Sequence, residues 1–384
     1  MKNKIIRLLP ILFTGLSCLS LGSCNNGNGG GSSGFEKVRI DYGTYRSEPL
    51  TSITSLPELT YDELTSKVTV HKDSFLLAIY NETCVCWQDF APVLTEFIND
   101  TGCNVDYINV NKFINKDNDF GLYLVKGDLP SIAIFRNGKL AVQSVFLRDD
   151  RMIFKQYKNH FENFIKENVI LPKMYYIERN DVDKFIAEDK EFNLYCARSE
   201  CGDCTTLDDN ILIPWSRSID SAKEKLYIFD MQQYWALDPA WYPAVHGREA
   251  TAEEIQKFND YVAIKNEYGL SEGENNPDFG YGTGAFPTLQ RRKGNQIKDM
   301  CVVLNDEVDK DNKVIKSYFT EERVNKMAYL TNATCTKVLN GMSLTDNQIA
   351  NWSVRDHPEL SYKTTYCSTY HYPIAKEFIN YYIA

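Results

Sequence analysis

No stretch of this 384-residue chain concentrates lysine and arginine, and its formal net charge is -10. Nucleic acids are held through clustered positive charge on their phosphates, so a nucleic-acid partner is excluded. Beyond the first two dozen residues there is no apolar run long enough to span a bilayer. Histidine is scarce, and the five present (71, 160, 246, 357 and 371) show no ligand spacing. There is one C-x-x-C pair, Cys201-Gly202-Asp203-Cys204, where structural zinc often uses two such knuckles. The acidic stretch NDEVDKDNK, residues 305 to 313, lacks the glycine and the distant glutamate of a calcium loop and reads as a solvated turn. No metal and no cofactor are expected.

Hydrophobic residues make up 43% of the chain, enough for more than one buried core, so two domains are expected. Lys2, Lys4 and Arg7 precede the run LLPILFTGLSCLSLG, the charged start and apolar middle of a secretion signal over residues 1 to 23. Leu21-Gly22-Ser23-Cys24 follows directly and resembles the lipobox of bacterial lipoproteins. The resemblance implies cleavage before Cys24, a diacylglyceryl thioether on its sulfur with acyl chains such as palmitate, and a place on the extracytoplasmic face of a bacterial membrane. A plain secreted protein and an uncleaved anchor helix are the alternatives. Residues 25 to 34, NNGNGGGSSG, are a flexible tether reaching on the order of 17 Å, and the linker region is expected to extend over 24–60.

Eleven cysteines are present. With Cys18 in the signal and Cys24 lipidated, nine remain, at 84, 86, 103, 196, 201, 204, 301, 335 and 367. An odd number leaves at least one thiol free.

FLLAIY at 75 to 80 has strand length and is followed at once by NETCVCWQDFAPVLTEF. In residues 88 to 100, Phe90, Val93, Leu94, Phe97 and Ile98 share one helical face. NVDYINV then alternates as a strand, and Asn137-Gly138 between two apolar runs signals a hairpin. Residues 154 to 168 close the unit with an amphipathic helix. Cys84, Ala91-Pro92, Leu129-Pro130-Ser131 and Phe135-Arg136-Asn137-Gly138-Lys139 together resemble the thioredoxin superfamily over about residues 70 to 170. The resemblance implies that Pro130 is cis and faces the active cysteines.

The pattern recurs downstream. FNLYCA at 192 to 197 precedes Cys201-Gly202-Asp203-Cys204 at the start of a probable helix, and KLYIFDM at 225 to 231 is the next strand. Phe286-Pro287-Thr288 leads a strand, a Lys293-Gly294-Asn295 turn and a second strand, and residues 373 to 383 form a terminal helix. The expected fold class is therefore α/β: two thioredoxin-like domains, at 61–172 and 173–384, each a central mixed sheet flanked by helices. The second carries an insertion at about 232–283, whose QQYWALDPAWYPAVHG segment is either a binding lid or packing under the insertion.

The resemblance implies that Cys201 is an exposed nucleophile just before a helix and that Cys204, one turn on and more buried, resolves the mixed disulfide. Residues three apart share a helical face, and a helix start lowers a thiol pKa below its usual ~8.5. Pro287, flanked by Phe286 and Thr288, and Pro130 are expected to hold substrate backbone. A static disulfide and half a zinc site are the competing readings of Cys201 and Cys204. Counting back from Ala91-Pro92, Cys84 takes the nucleophile position and Trp87 the resolving one, with Cys86 one residue earlier. That half is an oxidant or isomerase-like site, a monothiol site on Cys84, or a degenerate binding domain. The buried acid usual in the preceding strand is Ala78 in one copy and Tyr195 in the other. Cys103, Cys196, Cys301, Cys335 and Cys367 are core residues or structural bridges, with Cys335–Cys367 the first pairing to test. The expectation is a lipid-anchored thiol–disulfide oxidoreductase whose partners are exported protein thiols and disulfides and a further redox partner. The alternative is a non-catalytic binding or adhesion lipoprotein on the same fold.

Overall fold

The computed structural model describes residues 36–113, 116, 120–122, 129–145, 154–219, 221–270, 286–302, 307–308, 314–316, 327–330 and 372–384. Cys24, the Cys335–Cys367 pairing and most of residues 305 to 313 lie outside the described residues. The architecture is α/β, with mixed sheets flanked by helices.

The chain enters through two short strands, β1 (Val38–Arg39) and β2 (Tyr42–Thr44), whose partners lie far downstream. The helix α1 (Tyr61–Thr65) follows, started by a capping box in which Thr60 and Glu63 satisfy each other's backbone N–H groups. The first large sheet has the order β4-β3-β5-β6. Its centre is β3 (Phe75–Tyr80), buried over five of its six residues, which is why FLLAIY shows no alternation. The helix α2 (Val85–Thr101) returns the chain to β4 (Val105–Asn109), parallel to β3. The strands β5 (Ser131–Arg136) and β6 (Lys139–Val145) are antiparallel, and β5 also runs antiparallel to β3. Their turn has positive φ at both Asn137 and Gly138, as a two-residue hairpin requires. A side chain at 138 would also strike the Val68 carbonyl at 2.1 Å. The helix α3 (Phe154–Asn168) then packs Phe161 edge-on against Phe90 and Phe97 of α2.

After the short β7 (Val169–Ile170) and β8 (Met174–Tyr176), α4 (Arg179–Ala187) leads to β9 (Glu191–Ala197), the centre of the second large sheet. A long helical run follows β9, in three pieces: α5 (Gly202–Leu207), a π-helical turn (Asp208–Leu212) and α6 (Ile213–Ser218). The junction residues keep right-handed helical backbone, so the run is continuous. Pro214 explains the π turn: it has no N–H to give the carbonyl four residues back, and Ile213 instead donates five residues back, to Asp208. The strand β10 (Leu226–Asp230) runs parallel to β9, while β11 (Thr288–Lys293) and β12 (Gln296–Val302) are antiparallel. Between β10 and β11 lie α7 (Tyr242–His246) and α8 (Ala252–Glu267). After the small hairpin β13 (Glu307–Val308) and β14 (Val314–Lys316), α9 (Tyr372–Tyr382) closes the chain, burying Ile374, Ala375, Phe378 and Ile379.

Residues 37–60 depart from the sequence reading. The expected linker through residue 60 is instead built into both halves. Val38, Ile40 and Ile53 are buried in the first core, each contributing about 1.5–3 kcal/mol, which is the physical reason the segment does not stay loose. The strand β1 pairs in parallel with β7, and β2 pairs in parallel with β8 at the edge of the second sheet, whose order is β12-β11-β9-β10-β8-β2. Between the two strands Asp41, 4% exposed, accepts two hydrogen bonds from Arg217 of α6, at 2.7 and 2.6 Å. It also accepts from the Ser74 amide at 3.4 Å. Arg39 donates to the Ile219 carbonyl at 2.8 Å. The leading segment thus holds the far end of the helical run that Cys201 begins.

Asp41→Ala leaves the Arg217 guanidinium without its counter-charge. The expected cost is about 3 kcal/mol, the low end for breaking a buried pair because Arg217 is partly exposed, or a melting temperature lower by roughly 4 °C for a unit of this length. Calorimetry checks this, and a melting temperature within one or two degrees of the parent contradicts it.

Candidate active site

Both large sheets end their central strand in the same local geometry. Cys84 caps α2 with φ -82° and ψ 117°, and Cys201 caps α5 with φ -95° and ψ 118°. Each closes the turn before its helix, Cys84 by donating its N–H to the Asn81 carbonyl and Cys201 to the Arg198 carbonyl, both at 3.0 Å. An N-cap residue is extended while its neighbours are helical, so its side chain sits over the unpaired N–H groups of the first turn.

In the second half Cys201 is partly exposed and Cys204 is 2% exposed, and both are thiols. Nothing lies within 4 Å of where a side chain on Gly202 would project, so the approach to the pair is open there. The Cys204 thiol lies close enough to the Cys201 sulfur to interact with it, and this chiefly holds Cys201 down at about 6. The backbone N–H groups of Cys204 and Asp203 add to the effect, while burial and the Asp203 carboxylate oppose it. Cys204 moves the other way, because its proton serves Cys201 and its site is buried. The Arg198 amide donates to the Cys204 sulfur at 3.4 Å. Arg198 is itself fixed, with its guanidinium 4.6 Å from the Trp235 ring and its Nε donating to Gln232 at 3.1 Å. Gln232 also donates to Glu200 at 3.0 Å. The first part of the aromatic insertion therefore braces the loop before Cys201, while Trp241 further on is 61% exposed.

The strand-borne acid is absent at Tyr195, yet an acid is present. Asp208 lies one helical turn beyond Cys204, so 201, 204 and 208 share one stripe of the helix. Burial raises Asp208 to about 7, with Asp209 and Cys201 adding to the shift and the Tyr195 hydroxyl opposing it. That hydroxyl lies close enough to Asp208 and Cys204 to interact with both, yet forms no full hydrogen bond. The sequence reading missed Asp208 because it searched the preceding strand; the i, i+4 spacing from Cys204 was the available signal.

In the first half the Cys84 thiol donates to the Leu129 carbonyl at 3.7 Å, immediately before Pro130. The Leu129–Pro130 and Phe286–Pro287 bonds are both cis, and each leads into the strand antiparallel to the central one. Cys84 and the Pro130 turn are thus brought together directly. Phe286 shares one hydrophobic cluster with Cys201 and Cys204, and Phe286 and Thr288 are buried, at 9% and 2% exposure. Trp87 stands where Cys204 does in the other half. It is 6% exposed and stacks on Tyr80 with centroids 4.4 Å apart. Cys86 is partly exposed in the first turn of α2. Cys103, Cys196 and Cys301 are thiols buried in the cores, not bridged. Among the described residues no three His, Cys, Asp or Glu side chains converge as a metal site would, and no helix is long and apolar enough to cross a membrane.

No family model matches the chain, and no curated protein matches it. Solved structures that it resembles are thioredoxin-fold proteins. A thioredoxin mutant from Halobacterium salinarum is 19% identical over 37% of this chain and 100% of its own, with a TM-score of 0.22. Thioredoxin O2 from Arabidopsis thaliana is 13% identical over 28% of this chain and 84% of its own, at 0.21. The bb fragment of ERp72 is 11% identical over 66% of this chain and 90% of its own, at 0.28. The chain itself is α/β, with mixed sheets flanked by helices.

With Cys201 held at about 6, its alkylation by iodoacetamide, followed by mass spectrometry of the Cys201 peptide, is expected to rise through pH 6 and level off by neutral pH. Cys204→Ala removes the main donor and moves that midpoint up toward the ordinary thiol value of about 8.5. A parent midpoint above pH 8 contradicts the arrangement.

Proposed function

We propose that this protein is a thiol–disulfide oxidoreductase of two tandem thioredoxin-like domains, tethered by a lipid on Cys24 to the extracytoplasmic face of a bacterial membrane and acting on exported proteins. The observation that carries the reading is the pairing of a partly exposed Cys201, capping a helix, with a buried Cys204 one turn on whose thiol interacts with it. The Cys201 thiolate attacks one sulfur of a client disulfide. A Cys201–client disulfide forms, the client's own bond breaks, and the displaced client thiolate takes up a proton. Cys204 then gives up its proton, attacks the Cys201 sulfur and releases the second client thiolate, leaving Cys201–Cys204 oxidised. Two electrons pass from this chain to the client, and an external dithiol restores them. Run backward, the same steps oxidise a client dithiol. Asp208, next along the stripe and close to its own titration point at neutral pH, is placed to take the Cys204 proton.

In the first half the indole of Trp87 fills the position of the resolving sulfur, which favours a monothiol or client-binding role there over a second full redox centre.

Insulin reduction driven by dithiothreitol tests the reading. Cys201→Ser is expected to fall to the uncatalysed background, and Cys204→Ser to accumulate a mixed disulfide. If Cys201→Ser matches the parent, the enzymatic reading fails and the binding reading stands. Asp208→Asn is expected to slow the resolving step by roughly 100-fold near neutral pH, the low end for general-base catalysis, and to flatten its pH dependence around pH 7. An unchanged profile removes Asp208 from the mechanism.

A further inference from the structure

Away from both cysteine sites, a cavity of about 230 Å³ opens between the leading segment, the end of α2 and the start of β10. One water needs about 10–15 Å³ of such space, so the cavity takes a larger guest. Arg46 and Lys225 line it together with Thr44, Thr101, Tyr175 and Asp100. The Arg46 Nη1 is buried and has no hydrogen-bond partner. An orphaned guanidinium nitrogen in a folded interior requires an explanation, and an absent ion or water is a common one. Among the described residues no ion pair is formed by Arg46 or Lys225, and the Lys225 ammonium sits 4.3 Å from the centre of the Tyr175 ring.

The charges around the cavity are unbalanced. Burial holds both Arg46 and Lys225 below their usual basicity, and for Lys225 no acid opposes it. Lys190 lies close enough to Lys225 to be disfavoured by it. Of the acids nearby, Asp181 acts on Arg46 and accepts from the Ser47 amide at 3.1 Å, Glu188 acts on Lys190, and Asp100, exposed on the cavity wall, acts on Lys158. Two cations and one exposed carboxylate thus line one open cavity, with a planar N–H donor left over, and the excess positive charge suits carboxylates and phosphates.

We propose that this cavity is a binding site for a small oxyanion, phosphate or carboxylate, gripped by the Arg46 guanidinium and the Lys225 ammonium. The thiol chemistry plays no part in it. Thr44 and Thr101 stand on the same wall, the Thr101 hydroxyl already donating to the Phe97 carbonyl at 2.7 Å. The site is assembled from the leading segment and both halves, so its ligand adds to the contacts that hold residues 44–46 in place.

Isothermal titration with sodium phosphate, and separately with sodium citrate, at constant ionic strength on the full chain tests this. A saturable heat with one ion per chain is expected, with a rise in melting temperature beyond that given by sodium chloride. Arg46→Gln is expected to weaken binding tenfold or more, since it removes a charge-assisted hydrogen bond. Lys225→Gln, at a side chain exposed enough to leave folding intact, is expected to weaken it several-fold. Preference for phosphate over citrate, or the reverse, names the source of the anion. Absence of saturable binding by both anions, or equal affinity in the parent and Lys225→Gln, overturns the proposal.

Discussion

One interaction organises the candidate site: that of the Cys204 thiol with the Cys201 sulfur across the first turn of a helix. It divides two chemically identical side chains into an exposed thiolate and a buried acid. The division depends on backbone geometry more than on the side chains. Cys201 must be the last extended residue and Cys204 must be inside the helix, and β9 fixes both by ending at Ala197, four residues before the cap. The Asp203 carboxylate works against the thiolate, yet the helix start and the Cys204 donor outweigh it.

The two halves show what that geometry supplies by itself and what it needs from sequence. Cys84 has the same cap conformation as Cys201, and its sulfur lies against a cis-proline turn. What differs is the residue one turn on. A buried sulfur can surrender a proton and attack; a buried indole stacked on Tyr80 cannot. The second half also carries a π turn that leads into Pro214, and Asp208 stands at its first position. In the first half Pro92 lies within α2, which has no π turn.

Much of this was legible in the sequence because the informative residues act locally. FLLAIY became β3, Asn137-Gly138 the turn between β5 and β6, and residues 154 to 168 became α3 with the same bounds. The turn after β11 and the terminal helix were likewise marked by glycine and by spaced apolar residues. Long-range pairing was not legible. Nothing in VRIDYGT announces that Asp41 meets Arg217, 176 residues away, or that β2 lies beside β8. Short strands of two or three residues carry too little period to read, and their partners are chosen by packing. Asp208 escaped notice for a related reason: its importance follows from burial, which one sequence does not display.

The parallel pairing of β2 with β8 has a consequence for where this protein can be divided. A strand at the margin of a sheet offers unmatched N–H and C=O groups that recruit other chains. Here Met174–Tyr176 is covered by Tyr42–Thr44, so that margin is closed by residues from the opposite end of the polypeptide. A fragment cut at residue 173 leaves the outer edge of β8 unpaired, its other edge still held by β10, and also loses Asp41 from α6. The later half, although it holds the complete cysteine pair, is thus not a free-standing piece, and its solubility depends on the first forty-odd residues.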